Sequence, residues 1–243
     1  MSDSLTRDGF LGGRVMAWQP RDGYRAATDP VFLAAACPAV AGDRVLDLGC
    51  GVGVAALCLA ARVPGVAITG VERQAEYAAL ARRNGVDVVE ADLSELPSDL
   101  RARSFDHVIA NPPYFGAGEG TAARDTGREA ALREQTPLAD WLRVARARLR
   151  PGGWLTAIHL AERLPDVLAG LDGFGSISVL PLAPRVARPA SRVMVRARKG
   201  GRGKFVLLPP ILLHEGVTHL RDGDDFSATA RAVLRDGAAL AFG

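Results

Sequence analysis

The chain has 243 residues, 48% of them hydrophobic, and a formal net charge of +3 at pH 7. That length and apolar content are ample for one α/β domain with a sizeable core. Apolar runs are interrupted by Arg, Asp, Gly or Pro before the roughly 20 residues that a membrane helix needs. The N-terminus, residues 1–7, is polar and has no apolar signal core, so we expect a cytoplasmic protein.

The cysteine and histidine pattern argues against metal chemistry. Cys37, Cys50 and Cys58 are odd in number and scattered, and the four histidines form no pair with them. We therefore predict no metal site and no disulfide. Cys50 is expected to fill space rather than act as a nucleophile.

The first 41 residues contain two predicted elements. Residues 5–24 carry glycines and aromatics without clear periodicity, which predicts a loop or an edge hairpin covering the site. Residues 26–41 form an apolar, helix-like run, with Thr28 or Asp29 as N-cap, Pro30 at the first helical position and Pro38 at its end.

A glycine-rich turn follows the next predicted strand, residues 45–48, and leads into a helix at 54–62. Its glycines occupy alternate positions (Gly49, Gly51, Gly53), and such a turn lets backbone approach a ligand closely. The dinucleotide pattern requires glycine at the sixth position, which here is Val54, so the spacing disfavours NAD. Asp47, two residues before the first glycine, suits a ligand with a cationic amino group, such as the methionine part of S-adenosylmethionine.

Two further acids lie at the ends of predicted strands. Glu72 ends the strand at 66–72, where folds of this kind hold ribose hydroxyls, and Asp92 follows the strand at 86–91. Each acid alone is also compatible with a solvated loop. Their succession after Asp47 predicts a cofactor site.

A polar tetrapeptide, Asn111-Pro112-Pro113-Tyr114, follows a strand at 105–110. The Asn111 side-chain oxygen and the Pro112 carbonyl can both accept hydrogen bonds from one NH2 group, since proline has no competing N–H. The Tyr114 ring can stack on a base. A simple strand-ending turn is the alternative reading of these residues.

These motifs in this order resemble the class I S-adenosylmethionine-dependent methyltransferases, and among them the amino-methyltransferases with an Asn-Pro-Pro-Tyr loop. The resemblance implies a Rossmann-like α/β fold, a doubly wound seven-stranded mostly parallel sheet with an antiparallel strand near the C-terminus, here residues 192–199. It also implies a catalytic loop (Asn111, Pro112, Pro113, Tyr114) and a binding site for S-adenosylmethionine (Thr28, Asp29, Asp47, Gly49, Gly51, Gly53, Glu72, Asp92, Asn111).

The segment between 173 and 214 has no acidic residue, whereas basic residues crowd into 185–204. Such a face suits a polyanion, although charges also solubilise edge strands. With the loop at 115–137, which is long enough to suggest a function, it supplies the residues predicted to contact nucleic acid (Arg128, Arg133, Arg188, Arg192, Arg198, Lys199, Arg202).

The pattern is most similar to the bacterial tRNA adenine-N6 methyltransferases, which implies RNA, with tRNA favoured, as partner. We expect one domain, divided into an N-terminal cap and pre-motif helix (1–42), a cofactor and catalytic core (43–172) and basic C-terminal strands with a final helix (173–243). Release-factor glutamine methyltransferases share the tetrapeptide but carry a separate N-terminal helical domain. Methylation of rRNA or DNA adenine, and a non-catalytic module that binds S-adenosylmethionine or RNA, are further alternatives.

Overall fold

The computed structural model describes residues 4–116, 133–134, 136–216 and 225–242. Arg128, which is predicted to contact RNA, lies outside these ranges. Of Arg133 only the backbone is described, as part of a short strand.

The N-terminal segment forms a hairpin and a helix. Strands β1 (Leu5–Phe10) and β2 (Val15–Pro20) pair antiparallel, which confirms the predicted hairpin. Helix α1 (Asp29–Ala36) is shorter than the apolar run around it. Thr28 precedes the helix, but its side chain makes no capping hydrogen bond; its carbonyl accepts the N–H groups of Val31 and Phe32 instead. Thr28 is therefore the N-cap residue, one of the two positions predicted, and it accepts these bonds through its backbone carbonyl.

The rest of the chain alternates strands and helices. The helices are α2 (Val54–Arg62), α3 (Ala75–Arg83), α4 (Ser98–Ala102), α5 (Leu138–Arg148), α6 (Leu164–Ala169) and α7 (Ala228–Asp236). The strands are β3 (Arg44–Leu48), β4 (Ala67–Glu72), β5 (Asp87–Glu90), β6 (Phe105–Ala110), β7 (Phe115–Gly116), β8 (Arg133–Glu134), β9 (Leu149–Leu160), β10 (Phe174–Ala183), β11 (Arg192–Lys199), β12 (Val206–Leu207) and β13 (Ile211–Leu212).

A nine-stranded sheet organises the molecule, in the order β12-β10-β11-β9-β6-β3-β4-β5, with β13 also on β10. Strands β5, β4, β3, β6 and β9 run parallel, and β11 is antiparallel to both β9 and β10. The predicted mostly parallel fold with an antiparallel strand at 192–199 is confirmed. The predicted number of seven strands is wrong, because β12 and β13, of two residues each, are too short to produce a periodic pattern.

Alternate residues of the central strands face two separate apolar cores. Val45, Ile109 and Met194 pack in the core that contains α1 and α2. Leu46, Val108 and their neighbours pack in the core that contains α5. This period of two is what a sheet covered by helices on both faces requires.

The functional edge of the sheet follows from the strand order. The chain proceeds outward from β3 through β4 to β5, and then returns to the other side of β3 with β6 and β9. Ligands of doubly wound folds bind outside the carboxyl ends of the strands where this order reverses. Among the described residues no helix is both long and apolar enough to span a bilayer.

Candidate functional site

A cleft opens at this carboxyl edge, and the space between its walls, with the open solvent at its mouth included, is about 1080 Å³. Its walls are the segments that follow four parallel strands, together with residues from the N-terminal region and from α5. The predicted site residues that line it are Asp47, Gly49, Gly51, Glu72, Asp92, Asn111, Pro112, Pro113 and Tyr114.

The three glycines after β3 all have positive φ, but for different reasons. A Cβ on Gly49 would lie 2.3 Å from the Trp141 ring, and a Cβ on Gly53 would lie 2.6 Å from Val86. These two glycines therefore permit packing of the protein on itself. A Cβ on Gly51 would meet no atom within 4 Å, so the space beside Gly51 belongs to the cleft.

Asp47 is a buried acid on β3, with 2% of its surface exposed. Its Oδ2 atom has no hydrogen-bond partner among the described residues. Burial, followed by the charge of the Glu72 carboxylate, raises the pKa of Asp47 to about 8, although the Ala56 N–H partly opposes the rise. A cationic group placed beside Asp47 would satisfy this oxygen and favour its charged form.

Glu72 and Asp92 meet different environments at the ends of β4 and β5. The Glu72 carboxylate accepts the N–H of Gly51 at 2.9 Å and of Gln74 at 2.8 Å, while burial raises its pKa. Asp92 accepts the Ser94 N–H and hydroxyl, which lowers its pKa. Both acids keep lone pairs for further donors.

The loop after β6 is held by side chains that are distant in the chain. The Tyr114 hydroxyl donates to the Asp29 carboxylate and lies 3.1 Å from Oδ1 of Asn111. Burial, followed by the charge of Asp29, raises the pKa of Tyr24 to about 12, although a hydrogen bond with the Asn111 side chain opposes the rise. Asn111 is thus oriented by two tyrosines, of which only Tyr114 was predicted.

His159, at the end of β9, packs edge-on against the Tyr114 ring, with centroids 5.7 Å apart and an angle of 70°. Its Nδ1 accepts the Leu160 N–H at 2.8 Å, so the ring proton is on Nε2. Burial, followed by the charge of Arg163, lowers the pKa of His159 to about 4 although the Pro113 carbonyl raises it. The ring is therefore neutral at physiological pH.

Three predicted cofactor residues do not line the cleft: Thr28, Asp29 and Gly53. Asp29 instead pairs with Arg192, whose Nε lies 3.0 Å from Asp29 Oδ2. The sequence analysis missed several lining residues (Gln74, Tyr77, Trp141), because they belong to segments with no local motif. Tyr24 also lines the cleft; it lies four residues before Thr28 but was not named as a site residue. No group of three potential metal ligands occurs in the part of the chain that the structure describes.

The basic residues of the C-terminal third lie at two edges of the sheet. Arg192 pairs in register with Leu160 at the cleft edge, and Arg188 lies in the connection that leads to it. Arg198 pairs with Trp154, about 20 Å away along β11 at some 3.3 Å per residue. Lys199 and Arg202 continue beyond Arg198 at that far edge.

Comparison with known proteins identifies the family. Residues 28–165, more than half of the chain, match the family model described as "Methyltransferase small domain". The chain belongs to this methyltransferase family. S-Adenosylmethionine is accordingly its cofactor, as predicted, and it is a methyltransferase rather than an NAD enzyme.

This methyltransferase is similar to two relatives of known name and to one solved structure. It is 29% identical, over 96% of its own length and 95% of the relative, to a protein of Dickeya chrysanthemi named tRNA1(Val) (adenine(37)-N6)-methyltransferase. It is 35% identical to a release factor glutamine methyltransferase of Salmonella typhimurium, over 48% of this chain and 46% of that protein. The crystal structure of Atu636 from Agrobacterium tumefaciens, a predicted O-methyltransferase, matches with a TM-score of 0.70 and 27% identity, covering 87% and 98% of the two chains.

The cleft of this methyltransferase fits S-adenosylmethionine in charge and in space. The partnerless Oδ2 of buried Asp47 suits the amino group of the cofactor, which is cationic. The turn at Gly51 leaves open the volume that a side chain would otherwise occupy. The fit therefore rests on features of this structure as well as on family membership.

Gly51→Ala is expected to raise the Kd for S-adenosylmethionine about tenfold or more, since the new methyl group enters ligand space, while positive φ costs about 1 kcal/mol of stability. Gly42→Ala is the matched control, because Gly42 also has positive φ and an open Cβ position but is exposed outside the cleft. Titration calorimetry and urea unfolding measure the two effects. Equal losses of affinity in both variants would contradict the assignment of Gly51.

Proposed function

We propose that this methyltransferase transfers a methyl group to the exocyclic N6 amine of adenine in tRNA, with adenine(37) of tRNA1(Val) as the first substrate to test. The observation that carries the proposal is the placement of Asn111 and Pro112 on the cleft wall, directly after β6. The nearly full-length similarity to the Dickeya protein supports tRNA as the substrate class.

The proposed cofactor contacts use the three acids of the cleft. Asp47 would meet the amino group, Glu72 the ribose hydroxyls and Asp92 the adenine amine of S-adenosylmethionine. The bound cofactor supplies a methyl group on a cationic sulfur. Thr28, Asp29 and Gly53 support this site from outside the cleft rather than by direct contact.

The proposed role of the catalytic loop is alignment of the target amine. Oδ1 of Asn111 and the Pro112 carbonyl accept its two hydrogens, so the nitrogen lone pair points away from the loop. The Tyr114 ring stacks on a target base that has left its neighbours. Alignment supplies much of the acceleration in such reactions, on the order of 7 kcal/mol or more. The methylated nitrogen, which is cationic, releases its surplus proton to solvent, so no general base is required during transfer. His159, whose pKa is lowered to about 4, is too weak a base for that role.

Arg188 is the proposed RNA contact nearest the cleft. Its side chain is exposed and makes no ion pair with the described residues. By contrast, Arg198 donates to the Gly152 carbonyl and Lys199 to the Leu149 carbonyl. Arg202 is exposed like Arg188, but at the far edge of the sheet.

Arg188→Gln is expected to raise the tRNA Kd about threefold to tenfold at moderate salt, and to lower the slope of log Kd against log salt by about 1, because one phosphate contact is lost. Arg202→Gln is the matched control and is expected to change both quantities less. Fluorescence anisotropy with labelled tRNA at several salt concentrations measures them. If the Arg188 variant binds tRNA with unchanged Kd and salt slope, Arg188 does not contact the RNA.

A substrate competition tests the proposed function as a whole. The protein is incubated with methyl-labelled S-adenosylmethionine and, separately, with unmodified tRNA, duplex DNA, rRNA and release factor. The label is then mapped by nuclease or protease digestion and mass spectrometry. We expect N6-methyladenosine in tRNA. Label on a glutamine, on DNA or on rRNA would overturn the tRNA assignment in favour of that substrate, and no label on any would overturn methyl transfer to these classes.

A further inference from the structure

Residues from three distant parts of the chain meet at Tyr114. Asp29 is the first residue of α1, Asn111 and Tyr114 belong to the loop after β6, and Arg192 is the first residue of β11. Arg192 and Asp29 are separated by 163 positions in the sequence. Their meeting is therefore a property of the fold, which brings the antiparallel strand and the first helix to one edge.

The contacts restrict Tyr114 at its hydroxyl and at its ring. The hydroxyl donates to Asp29, and Arg192 Nε donates to the same oxygen, Oδ2, at 3.0 Å. The Arg192 guanidinium carbon lies over the ring, 4.7 Å from its centroid. His159 makes a T-shaped contact with the same ring. The ring face that Arg192 covers is therefore not available for stacking on a base.

The Asp29 carboxylate affects the protonation of both Arg192 and Tyr114. The side chains of Asp29 and Arg192 are 19% and 26% exposed, so their charges are largely removed from water. Burial opposes the charged form of Arg192, but the Asp29 carboxylate raises its pKa above the ordinary value. Burial and Asp29 likewise raise the pKa of Tyr114, which keeps the hydroxyl protonated and able to donate. An Arg committed in this way is poorly placed to bind a phosphate as well.

We propose that Asp29 and Arg192 are positioning residues for methyl transfer, which hold Tyr114, and through it Asn111, in the orientation that receives the target base. This inference rests on the proposed function. It replaces two expectations from the sequence: Asp29 as a direct cofactor contact and Arg192 as an RNA contact. The alternative is an ion pair that contributes only to folding stability.

The test compares Asp29→Asn, Arg192→Gln and Tyr114→Phe with the wild type, using whichever substrate the wild type methylates. For Arg192→Gln we expect kcat to fall about 100-fold, because small misplacements of a reacting group have effects of that size. Its KM for substrate and its Kd for S-adenosylmethionine should stay within about threefold, and its salt slope for RNA binding should be unchanged. Arg101→Gln is the control for a surface arginine, because Arg101 is exposed and does not line the cleft.

A double-variant cycle tests the path through Tyr114. Tyr114→Phe keeps the ring and removes only the hydroxyl, and is expected to lower kcat about tenfold, the equivalent of one hydrogen bond to a charged group. Asp29→Asn should lower kcat in the wild-type background but change it less than about twofold in the Tyr114→Phe background. Additive losses would overturn the proposal for Asp29.

Other outcomes are equally decisive. A raised KM with a salt slope lowered by about 1 in Arg192→Gln would make Arg192 a phosphate contact. A lowered melting temperature with unchanged kcat would leave the ion pair with a structural role only. Asp29→Asn and Tyr114→Phe are near-isosteric, so the cycle remains measurable if Arg192→Gln fails to fold. If the wild type methylates a substrate other than tRNA, the proposed function fails, but the same cycle still decides the role of the pair.

Discussion

Asn111→Ala is expected to lower kcat for methyl transfer on the order of 1,000-fold, as loss of a preorganised polar group at a reacting centre does. The Kd for S-adenosylmethionine should change less than about threefold, because the acids of the cleft remain. The reason is geometric: without Oδ1, only the Pro112 carbonyl is left to accept from the amine, and the nitrogen can rotate. Single-turnover transfer and titration calorimetry measure the two quantities separately.

Asn111→Asp is the informative companion. It keeps an oxygen that can accept from the amine, and so should retain more activity than the Ala variant. It also places a second carboxyl group near the Tyr114 hydroxyl, which already donates to Asp29, so its activity should stay below that of the wild type. If the Ala variant loses cofactor binding but still transfers the methyl group at saturating cofactor, the role of Asn111 is cofactor binding and not alignment of the amine.

Asp47→Asn is expected to weaken S-adenosylmethionine binding by about 10- to 100-fold, the value of one hydrogen bond to a charged group. It should also abolish a proton release. The pKa of Asp47 is about 8 in the protein without cofactor, so its carboxyl is protonated at pH 6.5. A bound cationic amino group favours the carboxylate, and the wild type should release nearly one proton on binding.

Calorimetry at pH 6.5 in two buffers with different ionisation enthalpies counts the protons. At this pH an α-amino group, with a pKa of about 7.7–8.0, is already protonated in solution and contributes little to the count. The Asn variant should release none. An undiminished release from that variant would assign the proton to another group, with Glu72 as the next candidate because burial raises its pKa too.

The same carboxyl predicts a pH-dependent stability. Its folded pKa lies above the ordinary value of 3.8, so between about pH 4 and pH 8 the native state binds more protons than the unfolded state. Stability from this group is therefore present at low pH and is lost as pH rises through that window. Asp47→Asn should consequently melt at a higher temperature than the wild type at pH 9, with a smaller difference at pH 5, in cofactor-free protein.

Local patterns predict the strand ends at which Asp47, Glu72 and Asp92 lie, because these residues follow or end strands that have a clear apolar pattern. Helix α2 and strands β6 and β11 have the predicted bounds, and Glu72 does end its strand. The arrangement around Tyr114 was not predictable, since Asp29 and Arg192 meet only through the three-dimensional packing of α1 beside β11. Composition also failed to separate the basic residues, because it records their number but not the edge at which each lies.

Two arginines of strand β11 contact the two ends of helix α1. Arg192 binds Asp29 at the start of the helix, and Arg196, on the same face of the strand, donates to the carbonyl of Ala36 at its end. The four strand residues from 192 to 196 span about 13 Å. The seven helical steps from 29 to 36 span about 10.5 Å, so the spacing of the two arginines is similar to the length of the helix whose ends they contact. A residue added or removed within α1 would break one of these contacts and rotate the other by about 100°. The spacing of two arginines on the antiparallel strand therefore ties both ends of the first helix to the sheet, and one of these contacts is the Asp29 carboxylate that also binds the Tyr114 hydroxyl.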